Sequence, residues 1–280
     1  MLRIVTDGAA DVPGAWQKEY DISIIPINIH FGEKTFIQFE EMDFDSFYQE
    51  VGTNKTFPKT SQPSPHQFAE FYKKNFSKDD AILSIHVTSK LSGTYASCVS
   101  AAEELKGEYN IIPFDSACGS LGIAFMCRTA RQMANAGKSM SEIIGHLEAI
   151  RPKIHIFLAL DTLEYARRSG RVGTFSAAVA SLLNVKPIAR LQDGLVHMVD
   201  KVRTRKNAIA RVIEMGRETF GDAPVHVGIV HARDEQAGRM LMEEARKNFK
   251  VRDLELTDLT ISLAINFGPG TVGLILYPAE

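Results

Sequence analysis

The sequence predicts an α/β protein in two domains: an N-terminal parallel-sheet α/β domain and a C-terminal α+β domain. Three observations predict this. Apolar runs of four to eight residues, rich in Ile and Val, recur through the first half, with amphipathic helical stretches between them. Such alternation is the pattern of βαβ units whose parallel sheet is covered on both faces. Beyond residue 152 the texture changes to longer helices and partly alternating strands, which suits a sheet with one face half exposed.

In chain order, "LRIVTD" (2–7) opens the first strand at once. "ISIIPINIHF" (22–31) carries Pro26, so it reads as an edge strand or an interrupted one, because proline cannot donate to a ladder. "FPKTSQPSP" (57–65) reads as a loop running into a helix over 64–76. Ser64 is its N-cap, Pro65 its first helical residue, and Gln67 closes a capping box. Strand "AILSIHV" (81–87), helix 93–106, strand "NIIPFDS" (110–116) and helix 119–136 follow. Helix 141–150 has Ser139 and Glu142 as its capping box. "KIHIFLAL" (153–160) is the next strand. Later come "LVHMVDKV" (195–202), helix 204–219, "VHVGIVHA" (225–232), helix 233–248 and "VGLILYP" (272–278). The domains are expected at 1–152 and 153–280, with the chain free to cross back between them.

Composition narrows the function classes. The chain has 280 residues, 45% of them apolar, enough for a sizeable core. A formal net charge of -2 gives no basic field for nucleic acid. No apolar run approaches the ~18 residues of a membrane span. Cys98, Cys118 and Cys127 are odd in number and form no CxxC. They fit buried thiols in a reducing compartment rather than a disulfide frame or a zinc site. The expected location is the cytoplasm.

The polar residues of interest sit where the first-domain strands end. They are Thr6 and Asp7, then Thr88, Ser89, Ser92 and Thr94, then Asp115 and Ser116, with Thr60 and Ser61 just before a helix. The crevice beyond such strand ends is where open parallel sheets bind ligands. Helix N-termini gather there with free N–H groups, so hydroxyls at that edge suit an anion. For any one of these residues, capping a helix is the ordinary role; it is the grouping that points to a site.

Other motifs carry less. "GPGTVG" (268–273) matches G-x-G-x-x-G but leaves no room for a βαβ unit, so it reads as a tight turn before the last strand. No GxxxxGK[ST] P-loop occurs. "ACGSLG" around Ser120 places Cys118 where a nucleophile elbow has glycine. His226 and His231 lie five apart on a strand and so face opposite ways. His86 and His155 sit inside strands and read as core groups. No metal site or cofactor site is expected. Two basic segments remain, "EYARRSGR" with Arg167, Arg168 and Arg171, and "DKVRTRK" with Arg203 and Arg205. Solvated surface is their ordinary reading, and capture of a carboxylate or phosphate is the functional one. An acyl hydrolase with Ser92 or Ser61 as nucleophile is the alternative enzyme reading, although no base stands at a matching spacing.

The blocks "IVTDGAADVP", "KTSQPSP", "SKLSGTYASC", "FDSACGSLGIAF", "DTLEYARRSGRVG", "KPIARLQDG", "VRTRKNA" and "GPGTVG" occur in that order. As a set they closely resemble the DegV family of bacterial fatty-acid-binding proteins, from residue 4 to about 277. The resemblance implies two α/β domains and a long-chain fatty acid in an internal tunnel, with its carboxylate at the interdomain crevice. It implies that Thr60 and Ser92 hold the carboxylate beside Ser61, and that Arg203 approaches it. Some members present the bound acid to a separate ATP-dependent kinase subunit, for which Arg167, Arg168 and Arg171 would be docking residues. The sequence departs from the family pattern twice. Gly8 stands where the opening block usually has a serine. Asn266 stands where kinase-linked members have a histidine, and asparagine can bond a carboxylate but cannot titrate near neutral pH.

Overall fold

A computed structural model describes residues 1–53, 56–171 and 185–279. Contacts divide the chain into two units. One is Met1–Ala149 with Thr260–Ser262; the other is Ile150–Leu259 with Leu263–Glu280.

The first unit is built on four parallel strands, β1 (Leu2–Asp7), β2 (Ile22–Ile25), β6 (Ala81–His86) and β7 (Asn110–Asp115), in the order β2-β1-β6-β7. β1 and β6 are central and buried along most of their length, which explains their unbroken apolar sequence. Val5 and Ile82 point into a core shared with α3 (Pro65–Asn75) and α4 (Thr94–Glu104), which supply Phe68, Tyr72, Cys98 and Ala101. Helix α5 (Leu121–Asn135) packs on β1 and β6 and buries ten of its residues, so its apolar stretch is core. Both expected capping boxes form. Ser64 and Gln67 close α3 reciprocally. Ser139 N–H donates to Glu142 at 2.8 Å, and Glu142 N–H to Ser139 Oγ at 3.3 Å, at the start of α6 (Met140–Ile150).

Pro26 does more than mark an edge. It separates β2 from β3 (Asn28–Phe31), and the two halves join different sheets. β3 is the middle of a small antiparallel sheet, between β4 (Lys34–Ile37) and β5 (Lys59–Ser61). Helices α1 (Gly14–Glu19) and α2 (Phe44–Thr53) complete the unit.

The second unit carries a six-stranded mixed sheet. Its strands are β8 (His155–Ala159), β9 (Lys186–Gln192), β10 (Leu195–Val202), β11 (Pro224–His231), β12 (Lys250–Asp258) and β13 (Val272–Pro278). The order is β10-β9-β8-β13-β11-β12, and of these pairs only β11–β12 is parallel. Helices α8 (Arg205–Phe220) and α9 (Glu235–Asn248) bury Val212, Ile213 and Leu241 against Phe157, Val227 and Leu274. Two short helices complete the unit's described part, α7 (Glu164–Ser169) and α10 (Ile261–Phe267), whose first two residues belong to the first unit.

Candidate functional site

The strand ends of the first unit are stitched together by buried polar groups, and Asp7 is the centre of the stitching. Its Oδ1 accepts from Ala9 N–H at 2.9 Å, and its Oδ2 from Val87 N–H at 2.9 Å. His86 Nδ1 also meets Oδ2, at 3.0 Å, with both side chains fully buried. From His86 the chain of contacts continues to Ser84 Oγ at 2.7 Å, Tyr72 OH at 2.8 Å and Cys98 Sγ at 3.2 Å. Burial works against a charged imidazole, but the Cys98 thiol and the Asp7 carboxylate outweigh it and push the pKa up to about 9. Burial raises the Cys98 thiol, and the facing imidazolium more than reverses that, leaving it below its ordinary value. His86 is thus the satisfied core histidine that its place in a strand suggests. His155 is only half-buried and accepts from Arg190 at 2.7 Å; burial and that arginine push its pKa down to about 4.

The same edge gathers the other blocks. Thr88 N–H donates to the Cys118 carbonyl, and Ser89 N–H to Asp115 Oδ1. Ser120 N–H donates to the Ala9 carbonyl at 2.7 Å, and its hydroxyl donates to Asp11. Asp11 and Ser120 both have positive φ, 44° and 56°, a conformation that side chains rarely adopt. Asp11 Oδ1 also accepts from Thr260 N–H at 2.7 Å. Cys98, Cys118 and Cys127 are all buried and free.

Thr60 and Ser61 face opposite sides of the small sheet. Successive strand residues face opposite sides of a sheet, and β5 pairs Thr60 with Ile29, and Ser61 with Asn28. Thr60 therefore shares the face of fully buried Ile29. Ser61 faces the other way, and its hydroxyl lies 2.8 Å from His30 Nε2. His30 Nδ1 in turn meets Thr35 Oγ1 at 2.9 Å. A serine beside a histidine resembles part of a hydrolytic triad, but the group behind the imidazole here is a hydroxyl and not a carboxylate. Gln62 directly follows β5. Its amide lies against Gly93, where a Cβ would sit 2.6 Å from Nε2. The TSQPS block thus meets the LSGTY block, and Ser92 is Gly93's neighbour. Ser92 Oγ lies 2.8 Å from Thr94 Oγ1 at the start of α4.

In the second unit, Arg203 is exposed just beyond β10. Arg205, two residues on, is the arginine that braces the GPG turn. Its Nη2 contacts Asp161 at 3.2 Å and Asp234 at 3.3 Å, and a Cβ on Gly270 would lie 3.0 Å from it. Lys186 also pairs with Asp161. Asn266 is half-buried near the end of α10, two residues before Gly268. Gly268 has φ 86°, and the Tyr165 ring of α7 fills its Cβ space at 2.5 Å. Arg167 and Arg168 are exposed on α7, with Arg168 paired to Glu164 at 2.7 Å. Arg171 donates to the Ser169 carbonyl. Val172 and Gly173 of the same block lie outside the described residues. Sequence reasoning missed Asp161, Tyr165, Arg205 as a brace, and Gln38 and Gln62. Only the two turn glycines gave a signal of close approach there.

His226 and His231 do not share a ligand. Each lies beside its own aspartate on β12, Asp253 at 2.9 Å and Asp258 at 3.3 Å. Among the described residues no cluster of His, Cys, Asp or Glu could hold a metal ion, and no helix is long and apolar enough to cross a membrane. A groove of about 750 Å³ between α8 and α9, walled by Ile209, Met240 and charged side chains, contains none of the residues above.

A family model described as "Uncharacterised protein, DegV family" matches residues 1–279. The chain belongs to the DegV family. Protein DegV of Bacillus subtilis is 30% identical over 275 residues, 98% of each chain. A Thermotoga maritima protein named "Fatty acid-binding protein" is 32% identical over 279 residues, 97% of this chain and 96% of the relative. A solved structure of a DegV family protein from Thermus thermophilus, described by its fatty acid binding, superposes with a TM-score of 0.91 at 29% identity, covering 99% of both chains. The DegV fold accounts for both units, the parallel-sheet first one and the mixed-sheet second one.

Proposed function

We propose that this protein binds a long-chain fatty acid, with Thr60 and Ser92 holding its carboxylate at the strand-end edge of the first unit. One observation carries the assignment. Thr60 shares the face of buried Ile29 in the small sheet, and Gln62, two residues on, has its amide against Gly93 beside Ser92. Family relatives named for fatty acid binding support the ligand class.

The physics suits such a ligand. Each buried methylene contributes ~0.8 kcal/mol, so about fourteen give ~11 kcal/mol gross. Lost freedom takes back ~4–15 kcal/mol. The tail therefore supplies most of the affinity, and an internal tunnel is the shape that would bury it. The head-group contacts set orientation, because a buried carboxylate needs donors. The family resemblance adds Arg203 and Asn266 to the head-group set, and it adds presentation of the acid to a separate ATP-dependent kinase subunit, with Arg167, Arg168 and Arg171 as docking residues. In that case the chemistry is the partner's, and this chain positions a carboxylate oxygen for phosphoryl transfer.

The test is a titration with cis-parinaric acid, a fluorescent polyene fatty acid. A hydrogen bond to a charged group is worth ~1.5–3 kcal/mol, so Thr60→Ala and Ser92→Ala should each weaken binding about tenfold or more, with the far-ultraviolet circular dichroism unchanged. Parent-like affinity in both would place the head group elsewhere.

A further inference from the structure

Gly8 directly follows β1, and its backbone does not require glycine, since it is not among the residues with positive φ. Space requires it. A Cβ at position 8 would lie 2.1 Å from Gln38 Oε1 and 2.9 Å from Gln38 Cδ. A clash with the end of a long side chain is relieved cheaply when that end can swing into solvent. Gln38 cannot do this, because it is fully buried. Its Nε2 donates to the Gly8 carbonyl at 3.1 Å, and its own backbone N–H donates to the Ile27 carbonyl. The amide's orientation follows from this bond, because the flipped amide would set Oε1 against the Gly8 oxygen. The same carbonyl accepts from Ser262 Oγ at 2.8 Å, and Gly8 N–H donates to Ile25. Both backbone groups of Gly8 are therefore engaged.

Gln38 continues the alternation of β4 on the face of Phe36, the face that carries Ile29 and Thr60. Two glutamines that directly follow strands of the small sheet thus set their amides on two glycines of the first unit. Gln62 meets Gly93 at the start of α4, and Gln38 meets Gly8 directly after β1.

We infer that Gln38 and Gly8 are a matched pair and that Gln38 is a positioning residue of the strand-end site. Its amide fills the side-chain space of position 8 and holds the Gly8–Asp11 turn through the Gly8 carbonyl. The pairing stands on geometry alone. The positioning role rests on the fatty acid reading given above.

The test is a double-mutant cycle with two readouts, urea unfolding and cis-parinaric acid affinity, on Gly8→Ala, Gln38→Ala and the double variant. Contacting residues couple in such cycles and independent ones add. In the parent background Gly8→Ala should raise the unfolding equilibrium constant and weaken binding, each about tenfold. In the Gln38→Ala background the same change should move neither by more than about twofold. Equal effects in both backgrounds would overturn the pairing. Gln38→Met separates positioning from filling, since it keeps volume and loses the donor. Its unfolding should stay within about twofold of the parent while affinity falls about tenfold, and unchanged affinity would overturn the positioning role. If the parent itself failed to take up parinaric acid, the fatty acid reading and the positioning role would fall together, and the unfolding cycle would still decide the pair.

Discussion

Replacing Asp7 by asparagine tests what holds the strand ends together. The carboxylate accepts three hydrogen bonds, from Ala9 N–H, Val87 N–H and His86, and it is fully buried. Asparagine keeps the volume and turns one terminal oxygen into a donor. If the nitrogen takes the place of Oδ1 it faces the Ala9 N–H; in the place of Oδ2 it faces the Val87 N–H. Either way one buried N–H loses its acceptor, which costs ~1–3 kcal/mol. His86 also loses the carboxylate it faces at 3.0 Å, and removing one partner of a buried pair costs ~3–5 kcal/mol. These terms overlap, so the expected loss is ~3–5 kcal/mol. Urea unfolding of parent and variant measures it. Amide hydrogen exchange at Ala9 and Val87 locates it, with faster exchange expected there. A loss below ~1 kcal/mol would refute the reasoning, because it would mean that the hydrogen bonds gathered on the buried carboxylate are not needed.

Two further outcomes follow from other parts of the molecule. Backbone and side-chain bonds from Ser139 and the bond from Lys138 lower the Glu142 carboxyl to about 2. Its folded pKa lies below the ordinary 4.5. The stabilisation is therefore present above 4.5 and lost as pH falls towards 2; an NMR titration of the Ser139 amide should follow that loss, and Glu142→Gln should abolish it. Gly268→Ala should destabilise the second unit, since it combines positive φ, ~1–2 kcal/mol, with a clash on Tyr165. Adding Tyr165→Ala should relieve the clash and leave the backbone cost, as read by thermal unfolding.

What was legible in the sequence was local. The capping boxes at Ser64 and Ser139 could be read because donor and acceptor lie three residues apart. The central strands β1 and β6 could be read because burial on both faces demands unbroken apolar runs. Pro26 announced an interruption but not that the two halves join different sheets, since that depends on partners far along the chain. Lys34–Ile37, Lys59–Ser61, Lys186–Gln192 and Lys250–Asp258 were not among the predicted strands, being short or rich in charge. With β5 unread, the opposite facing of Thr60 and Ser61 could not be seen. Gln38 gave no local signal at all; its role comes from Gly8, thirty residues earlier. Arg203 and Arg205 look alike in "KVRTRK", and only the fold shows that Arg205 braces the GPG turn.

The central claim is that a fatty acid is this protein's ligand. Native mass spectrometry of the purified protein tests it most directly, followed by denaturation and identification of any released small molecule. The account predicts a retained mass equal to a long-chain fatty acid, and its loss or depletion in a Thr60→Ala, Ser92→Ala double variant. A protein that carries no such mass and takes up none when fatty acid is added would contradict it.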